Sequence, residues 1–251
     1  MATRPSFPAR LNTGPVPARP RTAAPATVAP LLPARPDFRA MRQRMVARLA
    51  AAGVQSPAVL AAMEAVERDR FVDSALVAQA YEDTSLPIGL NQTISKPTVV
   101  ARMCELLLGA ELAREGKPGR VLEIGTGCGY QAAVLSLLAR EVYSIERLRG
   151  LHEKARENLR PFRLANVHLL FGDGMAGYAK GAPYAAIIAA AGGEAVPQAW
   201  VDQLAVGGRL VAPVAGEGGQ QALLVIDRTV QGLRQQQLEA VHFVPLKSGV
   251  A

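Results

Sequence analysis

The feature that most constrains the fold is a regular alternation of short apolar runs with helix-length segments, which begins at residue 120. Strands are predicted at 120–124, 141–145, 167–170, 185–190, 209–213, 222–226 and 240–244. Helices are predicted between them at 130–139, 148–160 and 197–204. Strands that alternate with helices of this length form βαβ units. The sequence therefore predicts an α/β fold with a mostly parallel sheet and helices on both faces.

Further helices are predicted ahead of this region. Apolar residues at helical spacing between positions 38 and 49 predict the first. Ser56 and Pro57 suit the N-cap and first turn of a second helix, and Lys96-Pro97 introduces a third. The intervening segment 81–95 is punctuated by Pro, Gly and Asn, which predicts loops with short extended pieces.

The first 36 residues differ in composition from the rest of the chain. They contain nine of the 18 prolines and five arginines but no acidic residue. Such a segment has little apolar surface to bury, so we expect a disordered extension over 1–36 and a single domain over 37–251. Prolines interrupt every candidate apolar core of a secretory signal, and a transit peptide is the weaker alternative.

Charge and hydropathy exclude several classes of function. The net charge is +7, but without the five arginines of residues 1–36 it is about +2, an ordinary value for a folded domain, so no nucleic-acid partner is expected. No apolar run reaches the roughly 20 residues of a membrane-spanning helix, so no membrane partner is expected. Two cysteines, Cys104 and Cys128, make no disulfide framework, which is typical of a cytoplasmic protein.

A glycine-rich turn follows the first strand of the alternating region. Gly125, Gly127 and Gly129 give the spacing GxGxG, and Glu123 stands two residues before the first glycine. A dinucleotide-binding turn would have its third glycine at the position of Tyr130. Methyltransferases that bind S-adenosylmethionine have the spacing found here, so these glycines and Glu123 are candidates for holding that cofactor. A generic turn between strand and helix is the alternative.

Two further acidic positions follow the next two strands. Glu146 ends the second strand, where a carboxylate can accept hydrogen bonds from ribose hydroxyls, and we group the adjacent Arg147 with it. Asp173 follows the third strand and could accept from an adenine amino group, while Gly174 would let the ring lie close. A solvated carboxylate at a helix start and a plain Asp-Gly turn are the alternatives. Because the carboxyl ends of successive strands meet at one edge of the sheet, the combination predicts a cofactor site there.

Residues 86–97, with the sequence LPIGLNQTISKP, resemble the L-P-I-G-x-x-Q-T-I-S-x-P signature of the protein-L-isoaspartate O-methyltransferase family. The resemblance extends in order over residues 38–247. It implies a Rossmann-like, S-adenosylmethionine-dependent methyltransferase fold with a seven-stranded sheet and extra N-terminal helices. The implied reaction is methyl transfer from S-adenosylmethionine to the free carboxylate of L-isoaspartyl residues in damaged peptides and proteins, which initiates their repair.

The resemblance also implies roles for individual residues. Ser95 matches the family's active-site serine, with a helix N-cap as its alternative role. Four residues would lie over the cofactor: Gln92, Thr93, Ile94 and Ser95. Four residues would border the substrate groove together with Ser95: Val244, Pro245, Leu246 and Lys247. The family resemblance further implies isoaspartyl peptides and proteins as partners and a monomeric state.

The chain departs from the family pattern at a few positions. Cys128 stands where the family usually has Ser, and Lys96 where bacterial members often have Gln. Ala185 and Ala190 replace an Asp and a Thr that are common around the fourth strand. These two changes leave open which polar contacts surround the site of methyl transfer.

The chemistry implied by the resemblance agrees with what the sequence lacks. A carboxylate with an ordinary pKa of about 3.9 is already an anionic nucleophile at neutral pH, so its attack on a sulfonium methyl needs placement rather than a strong base. No catalytic triad and no metal cluster is apparent, and three histidines are scattered: His152, His168 and His242. Ser95 would orient the carboxylate rather than act as a covalent nucleophile.

Other functions stay open at this point. Methyl transfer to a different carboxylate substrate is the main alternative, because of Ala185 and Ala190. A nicotinamide-dependent oxidoreductase is disfavoured by Tyr130 in the glycine turn. A noncatalytic nucleic-acid module could depend only on the arginines of residues 1–36.

Overall fold

Seven strands form the central sheet of the computed structural model, which describes residues 37–114, 116–216 and 219–251. The extension predicted over residues 1–36 lies outside the described residues. In chain order the strands are β1 (Leu86–Gly89), β2 (Gln92–Ile94), β3 (Arg120–Ile124), β4 (Glu141–Glu146), β5 (Val167–Phe171), β6 (Tyr184–Ala189), β7 (Leu204–Ala215), β8 (Gln221–Thr229) and β9 (Gly232–Val241). The α-helices are α1 (Arg39–Ala51), α2 (Pro57–Ala65), α3 (Pro97–Leu108), α4 (Tyr130–Leu138), α5 (Arg149–Leu159) and α6 (Gln198–Gln203).

The sheet has the order β5-β4-β3-β6-β7-β8-β9. Its first five strands are parallel, and β8 and β9 continue it in antiparallel pairing. The predicted mostly parallel, seven-stranded sheet is therefore confirmed. The chain moves outward from β3 to β5 and then returns to place β6 on the other side of β3. Ligands bind at such a reversal, beyond the carboxyl ends of the strands, which here are the ends of β3, β4 and β6.

Both faces of the sheet are buried. Val121 of β3 and Val142 of β4 pack into a cluster that includes apolar residues from the first five helices. On the opposite face, Leu122 and Ile187 pack with Trp200 of α6. Helices lie on both faces as predicted, but the second face is covered by the short α6 and by turns that carry Tyr178.

The prediction for the last strand was wrong. We expected it at 240–244, whereas β9 covers Gly232–Val241 and pairs with β8 through a hairpin in which Thr229 lies opposite Gly232. The run from Gly232 to Gln237 is polar and exposed because β9 is the edge strand, so it carries no apolar alternation. Residues 242–244 leave the sheet and lead toward the site.

The segment 81–95 consists of turns and short extended pieces, as predicted, and its residues 86–94 form a hairpin of β1 and β2. Leu86 pairs with Ile94, and the turn residues Leu90 and Asn91 have φ angles of 51° and 56°. Two successive left-handed residues are typical of a tight hairpin turn. The Lys154 ammonium of α5 donates to the Ile88 carbonyl oxygen at 2.8 Å, which fixes the hairpin over the sheet edge.

The predicted start of α2 is confirmed: the Ser56 hydroxyl accepts a hydrogen bond from the Val59 N–H at 3.4 Å, and Pro57 is its first residue. Within the described residues, no helix combines the length and apolar character needed to cross a bilayer.

Candidate active site

The turn between β3 and α4 requires its glycines. Gly127 has a φ angle of +57° and Gly129 one of +93°, in the left-handed region that glycine adopts at little cost. A Cβ atom at Gly129 would lie 3.0 Å from Leu159 Cδ1, so α5 also excludes a side chain there. The GxGxG spacing is therefore imposed by the backbone of this turn, and it exposes main-chain atoms to the space beyond β3.

Glu146 links this turn to the end of β4. One carboxylate oxygen accepts from the Gly127 N–H and the other from the Leu148 N–H, each at 2.9 Å. The side chain is 5% exposed and lines a cavity at the sheet edge. Because each carboxylate oxygen can accept a second hydrogen bond, Glu146 fixes the turn and still has acceptor capacity toward the cavity.

Glu123 lies beneath the turn rather than in the cavity wall. Its Oε2 accepts from the Ser144 hydroxyl at 2.5 Å, and that hydroxyl lies 2.6 Å from the Thr126 hydroxyl. Burial raises the pKa of Glu123 to about 8, while the Ser144 and Gln131 side chains act in the opposite direction. Glu123 Oε1 and Gln131 Nε2 are buried and have no partner in good hydrogen-bonding geometry among the described residues.

Asp173 also lies behind the cavity wall. Its carboxylate accepts from the Met175 N–H at 2.9 Å and from the Gly249 N–H at 2.7 Å. Gly174 lines the cavity, and a Cβ atom there would lie 2.6 Å from Ile124 Cγ2. The glycine is thus required by packing against β3. Asp173 ties the segment after residue 247 to the end of β5.

Ser95 follows the hairpin and faces the cavity with a free hydroxyl. Helix α3 begins at Pro97 with Lys96 as its N-cap residue, so the alternative role of Ser95 as an N-cap was wrong. No hydrogen bond connects the Ser95 hydroxyl to another described residue. Its carbonyl oxygen accepts from Nη2 of Arg68 at 2.7 Å, so the backbone is held while the hydroxyl remains available.

Arg68 is a residue that sequence reasoning missed. It is fully buried, donates also to the Ala80 carbonyl oxygen at 2.8 Å, and its guanidinium carbon lies 4.8 Å from the centre of the Tyr130 ring. Burial lowers the pKa of Arg68, although the nearby Tyr130 opposes that shift. Arg68 therefore joins the Ser95 backbone to the first residue of α4. Nothing in the local sequence distinguishes Arg68 from the charged residues around it, so sequence reasoning could not select it.

Residues 244–247 form the remaining wall. The Val244 carbonyl oxygen accepts from the Gly192 N–H at 2.9 Å, and the Leu246 N–H donates to the Gly192 carbonyl oxygen at 2.7 Å. These bonds hold the segment against the loop after β6. Pro245 and Lys247 are exposed at the cavity rim.

The cavity has a volume of about 280 Å³. It brings together most of the residues singled out in the sequence, which are Gln92, Thr93, Ile94, Ser95, Gly125, Gly127, Glu146, Arg147, Gly174, Val244, Pro245, Leu246 and Lys247. Glu123, Gly129 and Asp173 support the wall from behind. Tyr130 and Gln131 also line the cavity, although no sequence pattern marked them as candidates for binding.

The unusual alanines have different positions. Ala190 lines the cavity and its N–H donates to the Ile124 carbonyl oxygen at 2.8 Å, so the absence of a threonine hydroxyl changes the wall itself. Ala185 is buried in β6 away from the cavity. Of these two alanines, only Ala190 alters the surface that a ligand would meet.

The three histidines do not line the cavity. His168 Nε2 is 2.9 Å from a Glu141 carboxylate oxygen and its ring stacks on Tyr143, while His152 and His242 are also outside the cavity lining. Cys128 does line the cavity, and burial raises the pKa of its thiol. Among the described residues, no cluster of His, Cys, Asp and Glu could hold a metal ion.

Comparison with known proteins agrees with this geometry. Residues 40–251 match the model of the family described as protein-L-isoaspartate(D-aspartate) O-methyltransferase. The chain belongs to this family. A protein-L-isoaspartate O-methyltransferase of Methylibium petroleiphilum is 62% identical over 215 residues, which cover 85% of this chain and 79% of the relative. One of Leptothrix cholodnii is 59% identical over 221 residues, covering 86% and 76%.

Solved structures of the protein-L-isoaspartate O-methyltransferase family share the fold. One named protein-L-isoaspartate O-methyltransferase superposes with a TM-score of 0.74 at 28% identity, over 83% of this chain and 67% of its own. A putative member from Plasmodium falciparum, in complex with S-adenosyl-L-homocysteine, superposes with a TM-score of 0.69 at 23% identity, over 82% and 98%. The predicted Rossmann-like methyltransferase fold is confirmed.

Proposed function

We propose that this chain transfers a methyl group from S-adenosylmethionine to the free carboxylate of L-isoaspartyl residues in damaged peptides and proteins. The observation that carries the proposal is the position of Ser95. Its hydroxyl is free of internal hydrogen bonds and opens onto the same cavity as Glu146 and the glycine turn. A group that could orient a carboxylate and a group that could hold a ribose therefore line one cavity.

The residues of the cavity fit S-adenosylmethionine. Glu146 has acceptor capacity for ribose hydroxyls, and the turn at Gly125 and Gly127 presents main-chain atoms to an amino-acid moiety. The Gln131 amide nitrogen is buried, has no partner in good hydrogen-bonding geometry among the described residues, and offers a donor beside that turn. Residues 92–95 would cover the cofactor, with Arg147 and Gly174 at its adenosine end. When bound, S-adenosylmethionine supplies a sulfonium methyl group.

The chain's own contribution is placement. The substrate carboxylate is ionised at neutral pH and needs no base to attack a methyl carbon. Ser95 donates a hydrogen bond to one carboxylate oxygen and so directs the other toward the cofactor. The Ser95 carbonyl oxygen accepts a hydrogen bond from Arg68, which holds the backbone of Ser95 in place and limits the loss of orientation.

Selectivity for isoaspartyl residues would come from the peptide backbone. Isoaspartyl and aspartyl residues carry the same carboxyl group and differ in which carbonyl continues the main chain. Residues 244–247 line the same cavity as Ser95, and Val244 and Leu246 are held by hydrogen bonds to Gly192. We infer that this wall aligns the peptide so that only the isoaspartyl carboxylate reaches Ser95.

We further propose that the protein acts as a monomer in the cytoplasm without binding nucleic acid. The concentration of basic charge in residues 1–36 and the two free, buried cysteines support this. Light scattering during gel filtration tests the oligomeric state, and a retarded band with duplex or single-stranded DNA would contradict the absence of nucleic-acid binding.

The decisive experiment is methyl transfer from labelled S-adenosylmethionine to two peptides that differ only in an isoaspartyl or aspartyl linkage. We expect label on the isoaspartyl peptide and little on the aspartyl one. Equal labelling of both would overturn the proposed substrate. Label on neither, with transfer to a small carboxylate, would support the alternative that Ala190 leaves open. A parallel titration should show binding of S-adenosylhomocysteine and none of NAD.

A further inference from the structure

A groove of about 1010 Å³ opens on the other side of Ser95, between the start of α3 and the end of β9. Its walls include Ser85, Lys96, Arg102, Ala240 and His242. Among the described residues, Ser95 alone lines both this groove and the cavity described above. The free hydroxyl of Ser95 therefore lies at the junction of two spaces.

The groove continues both walls of the cavity. Residues 92–95 line the cavity, and the groove takes up the same chain segment at residues 95–96 and the first turns of α3. On the opposite side, residues 244–247 line the cavity and residues 239–242 line the groove. Cavity and groove are thus successive parts of one cleft, and a ligand that extends beyond Ser95 enters the groove.

The wall formed by β9 suits an extended peptide. β9 is the edge strand of the sheet, so backbone groups on its outer side have no neighbouring strand. Its residues Glu239 and Ala240 are exposed. Main-chain hydrogen bonds to such an edge bind peptides with little regard to their side chains. An enzyme whose substrate is one altered residue in many sequences needs this kind of recognition.

The charged side chains that line the groove differ in whether another described residue pairs with them. Arg102 of α3 pairs with Glu239 of β9 at 2.9 Å and with Glu105 at 3.4 Å. The Asp83 carboxylate accepts from the Thr98 N–H and hydroxyl, each at 2.9 Å. Lys96 is exposed and makes no ion pair with a described residue. It is therefore available to pair with an acidic side chain next to the bound isoaspartyl residue.

We propose that this groove binds the peptide segment that flanks the isoaspartyl residue, in extended form along β9, and that Lys96 sets a preference for acidic flanking residues. The proposal rests on the proposed function, since it assigns a second part of the substrate to the same site. It makes the groove a specificity-determining subsite that begins at Ser95.

The first test varies peptide length. A capped isoaspartyl tripeptide is compared with peptides extended by four residues on the amino side or the carboxyl side. We expect one extension to raise kcat/KM by about tenfold, as several added main-chain hydrogen bonds would. Ala240→Trp fills the groove from the β9 side. In this variant the ratio of kcat/KM for the extended peptide to kcat/KM for the tripeptide should fall toward one. Ser85→Trp should do the same from the opposite wall, with Gln235→Trp of β9 as the control that preserves the ratio.

The second test varies charge. With the extended peptide, Lys96→Glu should lower kcat/KM about threefold for an acidic flank and raise it for a basic one, the size expected of an exposed charge pair. Lys96→Gln should fall between, and Lys180→Glu, far from the cleft, should change neither. A wild-type enzyme inactive on every isoaspartyl peptide refutes the proposed function. Activity that is indifferent to length and flanking charge refutes the groove alone.

Discussion

The wall of the cavity at β3 and β4 is held by bonds among buried groups that are close in sequence, whereas the opposite wall joins segments from distant parts of the chain. Glu146 is 5% exposed and bonded to two N–H groups of adjacent turns. Ser95 and Lys247 are more exposed; Ser95 directly follows the hairpin of β1 and β2, and Lys247 lies in the segment after β9. The first wall is therefore more deeply buried than the second, and exposed side chains of the second wall can change at a smaller cost to stability.

This difference predicts that the two walls respond differently to substitution. On the wall at β3 and β4, the cofactor side, substitutions should lower both the affinity for S-adenosylhomocysteine and the melting temperature. On the wall formed by Ser95 and residues 244–247, the substrate side, substitutions should lower turnover and leave the melting temperature unchanged. Each of the following expectations tests that separation.

The largest effect is expected at Ser95. Ser95→Ala should lower kcat/KM for an isoaspartyl peptide by about 10–1000-fold, because a misoriented reactant loses much of its rate advantage. The melting temperature should stay within about 1 °C, since the hydroxyl has no bond to lose and surface changes cost little. Near-normal turnover in the folded variant would remove Ser95 from the reaction.

A smaller effect is expected at Glu146. Glu146→Ala should weaken S-adenosylhomocysteine binding by about 1–3 kcal/mol, the cost of leaving polar groups unpaired. Unlike Ser95→Ala, it should also lower the melting temperature, because the Gly127 and Leu148 N–H groups lose their acceptor. Titration calorimetry and thermal melting on the same sample measure both. Unchanged affinity in a folded variant would place the ribose elsewhere.

The ionisation of Glu123 should make the free energy of unfolding depend on pH. Its pKa is about 8 in the fold and near 4.5 ordinarily, so between these values the folded chain binds one more proton than the unfolded chain. The free energy of unfolding therefore falls as pH rises through this window, by at most about 1.4 kcal/mol per pH unit.

Glu123→Gln lacks this titration. The stability of the wild type minus that of Glu123→Gln should decline between about pH 5 and pH 8 and be level above. Urea unfolding at a series of pH values measures the difference. A constant difference across the window would show that Glu123 is ionised in the fold.

The smallest effect is expected outside both walls. A chain that begins at Asp37 should keep its melting temperature and turnover, because a Pro-rich segment of this composition contributes no core. Activity and melting compared with the full chain provide the check. A loss of several degrees would show that residues 1–36 pack on the domain.

The cofactor side was the more predictable part from sequence. The positions of β3, β4 and the glycine turn followed from strand and helix periods and from a spacing that the left-handed glycines require. The structure added what periodicity cannot give, namely that Glu123 and Asp173 lie behind the wall. Both are engaged by groups that come from other segments, Ser144 and Gly249.

The substrate side could be placed only by resemblance. Neither the hydrogen bond from Arg68 to Ser95 nor the contact of residues 244–247 with Gly192 follows from local pattern, because each joins segments far apart in the chain. The last strand was misplaced for a related reason. β9 is an exposed edge strand whose polar residues show no period of burial.

The account's central claim is that one cavity holds a cofactor on one wall and orients a carboxylate on the other. The most direct measurement is S-adenosylhomocysteine affinity, by titration calorimetry, of Ser95→Ala and Glu146→Ala side by side, with isoaspartyl turnover on the same samples at saturating cofactor. We predict that Ser95→Ala retains affinity and loses turnover, whereas Glu146→Ala loses affinity and recovers most turnover once saturated. Equal losses of affinity in both variants, or undiminished turnover in Ser95→Ala, would contradict the claim.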